Sequence, residues 1–140
     1  MNDVIIDIKS RQLSADNDNS IELTTHGRLL EKDGKLMLSY DDSQTIKNSK
    51  IKTTIHADGE KLTLMRSGAI ESRLVVEQGK RHRCFYNIPQ GELMLGIYGE
   101  EVKNRLKADG GYLKMKYNID INNDFLSENI VEIKVRKVEN

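Results

Sequence analysis

The chain has 140 residues, 37% of them hydrophobic and 31% charged, with 22 basic and 22 acidic side chains for a formal net charge of zero. A chain of this length fits one domain, residues 1–140, able to bury a usable core without metal or disulfide support. The neutral balance argues against a polyanion binder, and the single cysteine, Cys84, rules out an intrachain disulfide.

No apolar run approaches the roughly 20 residues that cross a bilayer, and Met1-Asn2-Asp3-Val4 does not open a signal peptide. The expected location is the cytosol, with no membrane partner. In chain order the dominant period is two. It is clearest in Leu36-Met-Leu-Ser-Tyr-Asp-Asp42, in Ile51-Lys-Thr-Thr-Ile-His-Ala57 and in Ile130-Val-Glu-Ile-Lys-Val-Arg-Lys-Val138. Apolar side chains alternate there with charged or hydroxyl ones, as on strands with one wet face. Turn residues separate the runs: Asp33-Gly34, Asp58-Gly59, Ser67-Gly68, Gln78-Gly79, Asp109-Gly110-Gly111 and Asn122-Asn123-Asp124. Strands are expected at 3–12, 20–32, 35–42, 49–57, 60–67, 70–78, 81–88, 91–98, 111–121 and 129–138, with a loop from Ser14 to Ser20. The segment 101–108 reads either as an eleventh strand or as a helical turn. Short connections between so many strands indicate an antiparallel meander, closed as a barrel or folded as a sandwich.

Several segments also carry a resemblance. Leu36-Met-Leu-Ser-Tyr-Asp-Asp42, Leu62-Thr-Leu-Met-Arg-Ser-Gly68, Tyr86-Asn-Ile-Pro-Gln-Gly91 and Gly111-Tyr-Leu-Lys-Met-Lys-Tyr117 follow in the order found in the YwiB-like family of small bacterial proteins. The chain resembles that family over residues 3 to 138. Asp41-Asp42 stands where the family pattern has glutamates, and the match is poor after Tyr98. The resemblance implies an all-β, antiparallel, up-and-down calycin-like (lipocalin-like) barrel of about 8–10 strands in a single domain, and it assigns no activity.

Parity gives the inward face. Arg66 shares it with Leu62 and Leu64, and Tyr40 and Asp42 share it with Leu36 and Leu38. His82, Cys84, Tyr86 and Ile88 form one face, and Leu113, Met115, Tyr117 and Ile119 another. The interior is therefore expected to be apolar with a small polar set. Lys114, Lys116, Glu132 and Lys134 fall on the wet face and are expected to tolerate charge reversal. An inward guanidinium needs acceptors. Arg66 meets either a ligand carboxylate or phosphate, with Tyr40, Tyr86, Tyr117 and His82 completing the site, or Asp42 in a structural ion pair that fixes register.

Other chemistry lacks a constellation. His26, His56 and His82 lie on different strands without metal-ligand spacing. His82 and Cys84 share a face, but a buried thiol usually just packs. Asp41 and Asp42 are adjacent and so face opposite sides. No phosphate-binding glycine loop or nucleophile elbow occurs. No metal, no cofactor and no enzyme activity are expected. The function expected is a non-enzymatic binding module for a small amphipathic or anionic ligand, in or at the mouth of the barrel. The alternative is a protein-interaction or RNA-associated adaptor using the outer surface and the basic run Lys80-Arg81-His82-Arg83, although overall neutrality speaks against nucleic acid.

Overall fold

A computed structural model of the chain describes residues 2–41, 51–68, 71–88 and 90–138. Ten antiparallel strands follow one another: β1 (Asn2–Leu13), β2 (Asp18–Lys32), β3 (Lys35–Asp41), β4 (Ile51–Asp58), β5 (Lys61–Gly68), β6 (Glu71–Glu77), β7 (Arg81–Ile88), β8 (Gly91–Lys107), β9 (Gly110–Ile121) and β10 (Asp124–Lys137). Each pairs with its neighbours in sequence, and β1 pairs with β10 from Val4↔Lys137 to Leu13↔Glu128, so the sheet closes as an up-and-down barrel. Closure leaves no long unpaired sheet edge. No helix of the described residues is long and apolar enough to cross a membrane.

The turns use the residues that the sequence marks. Asp33 and Gly34 both have positive φ, at 54° and 77°, the backbone of a two-residue hairpin that matches strand twist. The Ser14–Ser20 loop is shorter than expected, because β2 already begins at Asp18. Ser14 N–H donates to Asn17 O at 2.8 Å and closes the turn.

Residues 101–108 form neither a separate strand nor a helical turn: they extend β8 to Lys107. The alternation is broken by a bulge between Gly99 and Glu101. Leu95, Ile97 and Gly99 are buried before it, Val102 and Leu106 after it, so the inward face passes from odd to even positions. One extra residue on one strand shifts parity in this way. A second bulge at Phe125/Ser127 sets the register of β10, which starts five residues earlier than expected, at Asp124 rather than 129.

Inward residues stack in layers across the strands, as barrel interiors do. One cross-strand row runs Leu29, Leu38, Ile55, Leu64 and Leu74 from β2 to β6, and the next runs Leu36, Ala57, Leu62 and Val76 from β3 to β6. Val4, Ile6, Leu38, Ile55, Leu62 and Ile97 are completely inaccessible to water, so these layers are filled by side chains. Each such aliphatic chain stabilises the fold by about 1.5–3 kcal/mol through removal from water. Hollows of about 290 to 1010 Å³ open among surface side chains, and two of them reach members of the inward row nearest one end, Gly27 and Tyr40 in one and Arg66 and Ser72 in the other.

Candidate functional site

Next to the two apolar rows, toward one end of the barrel, the inward row changes character. It runs Gly27, Tyr40, Thr53, Arg66, Ser72, Tyr86 and Leu93 from β2 to β8, each residue directly opposite the next. This end is where β3, β5 and β7 finish and β4, β6 and β8 begin, and it is called the mouth below. Three of the sequence-derived candidates, Tyr40, Arg66 and Tyr86, therefore lie in one row over β3–β7, with neighbouring Cα atoms about 5 Å apart.

Two polar members of the row were not singled out from the sequence: Thr53, fully buried, and Ser72, 9% exposed. Both have a parity signal. Thr53 alternates with Ile51, Ile55 and Ala57, and Ser72 with Leu74 and Val76, and all five apolar neighbours are buried. A hydroxyl on an apolar face is the feature that could have found them.

Thr53 Oγ1, Arg66 Nε and Ser72 Oγ are each buried with no hydrogen-bond partner among the described residues. They sit on three consecutive strands at directly opposed positions. An unpaired buried hydroxyl costs about 1–3 kcal/mol. Arg66 as a whole is half-buried, and with Ser72 it also lines a hollow of about 480 Å³ beside Thr54, Met65 and Phe85. Asp42, the internal partner considered for Arg66, lies outside the described residues.

Tyr117 joins from the far side. It lies on β9 opposite buried Asn129, whose Nδ2 donates to Ser127 Oγ at 3.1 Å. Burial pushes the Tyr117 hydroxyl above its usual range, and the positive charge of Arg66 opposes that shift.

His82 does not belong to this group. It lies at the start of β7, toward the other end, and its Nε2 is 2.8 Å from Glu77 Oε1. That bond, with Lys80 at 3.4 Å, holds the Glu77 carboxyl below its usual range. Cys84 is 2% exposed, and its Sγ accepts the Val75 N–H at 3.3 Å. The β6–β7 ladder has only three register pairs, Glu71↔Asn87 to Arg73↔Phe85, so the thiol takes over a ladder bond. Burial raises the Cys84 thiol above its usual range. Among the described residues no three His, Cys, Asp or Glu side chains gather as a metal site.

The basic run Lys80–Arg83 is largely neutralised. Lys80 meets Glu77, and Arg81 makes a bidentate pair with Asp120 at 2.6 and 3.0 Å. The Arg81–Asp120 bridge crosses β8 at Gly96, where a side chain would collide with it.

A family model described as "Domain of unknown function (DUF1934)" matches residues 6–133. The uncharacterized beta-barrel protein YwiB of Bacillus subtilis (strain 168) is 24% identical over 121 residues, which cover 86% of this chain and 84% of that protein. The crystal structure of ywiB protein from Bacillus subtilis superposes with a TM-score of 0.82 at 22% identity, covering 95% of this chain and 91% of the other. Likeness at that identity speaks for the fold alone.

Proposed function

The chain belongs to the DUF1934 family, the YwiB-like family of β-barrels that its sequence resembles, and we propose that it is a non-enzymatic binding module for a small amphipathic or anionic ligand seated at the mouth of the barrel. One observation carries this reading: Thr53 Oγ1, Arg66 Nε and Ser72 Oγ, on directly opposed residues of three neighbouring strands, are buried without partners among the described residues. A carboxylate or phosphate supplies several acceptors and suits a guanidinium flanked by hydroxyls. Leu93, 40% exposed beside Tyr86 in the same row, gives an apolar tail somewhere to lie. The closed apolar layers below favour the mouth over a deep central cavity, in contrast to a calycin-type ligand chamber. The charged outer wall supports a cytosolic setting, since a bilayer-spanning barrel carries an apolar outer band.

The test is titration of the protein and of Arg66→Met with fatty acids and phosphorylated metabolites, followed by calorimetry and urea melts. The expected result is that Arg66→Met loses anion binding while the apo fold stays about as stable, because Arg66 is half-buried and its Nε has no partner to lose. A loss of about 3–5 kcal/mol in the apo protein would instead identify an internal ion pair. Binding by neither protein would end the proposal.

A further inference from the structure

The net charge of zero conceals an uneven surface. At the end opposite the mouth, where β8, β9, β10 and β1 run out, a groove of about 1010 Å³ is lined by Arg105, Lys107 and Arg136 at outward positions and by Lys137 on the barrel rim, against a single acid, Asp109. Gly110 lies directly between Lys107 on β8 and Arg136 on β10, so no side chain rises between those two cations. Two strand spacings separate them, about 10 Å. Gly110 and Gly111 have φ of 134° and 142°, and a side chain at either would run into the backbone of Val135 or Arg105. The open floor is therefore built into the β8–β9 hairpin. Among the described residues none of the four cations has a carboxylate within ion-pair distance. Elsewhere on the same strands Lys103, Lys114 and Lys116 all do.

We infer that this groove binds the phosphodiester backbone of a nucleic acid without reading its bases. Charge complementarity identifies the occupant. Protein partners are held chiefly by buried aromatic and aliphatic anchors. The large exposed apolar side chains, Phe85, Met94 and Phe125 among them, all lie outside this groove. What it offers is unpaired charge at spaced positions, half of it on arginine, and a polyphosphate is the partner that such a surface holds best. Among the described residues the lining holds no aromatic side chain, Tyr112 standing beside Arg105 just outside it, which favours backbone contact over base stacking. This inference is independent of the mouth, which lies at the other end of the barrel.

The experiment is fluorescence anisotropy of the full chain with a labelled oligouridylate of about 20 nucleotides, from 50 to 300 mM KCl. Four contacts predict a log–log salt slope of about −3. Lys107→Gln/Arg136→Gln should weaken binding at least about tenfold at low salt and lower the slope by about 1.4, with an unchanged melting temperature. Arg66→Met should bind as the parent does. Equal affinity of the double variant, or polyglutamate of matched length competing as well as the oligonucleotide, would overturn the proposal. The first result would put the contact elsewhere, and the second would make the partner an acidic polypeptide.

Discussion

Single residues in this barrel are conspicuous where they break a local rule. Cys84 is one, because its sulfur stands in for a backbone acceptor to Val75. Cys84→Ala should leave that buried N–H unpaired and cost about 1–3 kcal/mol in a urea melt. The native thiol should resist Ellman's reagent until the protein unfolds. Glu77 is another. Its carboxyl is held low mainly by His82, so its stabilisation is present above the usual carboxylate range and disappears as pH falls through the lowered value. His82→Ala should therefore destabilise the protein at neutral pH, and the difference should shrink on acidification, as followed by melts from pH 7 to pH 3.

At the scale of elements, two glycines of β8 separate two kinds of constraint. At Gly99 an added Cβ meets the carbonyl of Glu77, and the Gly99 N–H donates to Lys80 O while its carbonyl accepts from Gly79. The β6–β7 hairpin tip thus lies across the bulge, backbone on backbone. Gly99→Ala should cost about 2–3 kcal/mol, as an overpacked core position does. At Gly96 the obstacle is the far end of flexible side chains, Arg81 and Asp120, so Gly96→Ala should cost clearly less in the same melt. The outer wall corrects the expected tolerance to charge reversal. Lys116 lies 3.4 Å from both Glu100 and Glu128, Lys114 contacts Glu101, and Glu132 stands between Lys114 and Lys9. Lys134→Gln should stay within about 0.5 kcal/mol, whereas Lys116→Glu gathers three acids and should cost measurably more.

For the whole molecule, closure and burial dominate. Val138 N–H donates to Asp3 O at 3.1 Å, so the ends of β1 and β10 lie side by side. A circular permutant joining residue 138 to residue 2 by a short glycine linker, opened at Asp33-Gly34, should keep the β dichroism spectrum and cooperative melt of the parent. Tyr117 sets an alkaline limit. Burial raises its hydroxyl, so the folded state holds a proton that the unfolded chain releases near pH 10. Stability should fall as pH rises through and beyond that point, and less so in Tyr117→Phe.

The alternation of side chains by itself determined the strands of this barrel, its turns and the inward placement of Arg66, Tyr40, Tyr86 and Tyr117. Parity is local, since successive side chains must face opposite sides of a strand. It left residues 101–108 open, because one extra residue at the Gly99/Glu101 bulge reverses the face within β8. It also passed over Thr53 and Ser72, whose role appears only when three strands bring them opposite Arg66. His82 shows the converse: it shares a face with Tyr86, yet the strand carries it to the far end, to Glu77. The cationic groove joins residues from β8 and β10, and the Lys80–Arg83 run loses its charge to acids on β6 and β9. Which charges stand together and which cancel is a matter of register between strands. Register is set by closure of the whole barrel, and no single stretch of the chain carries it.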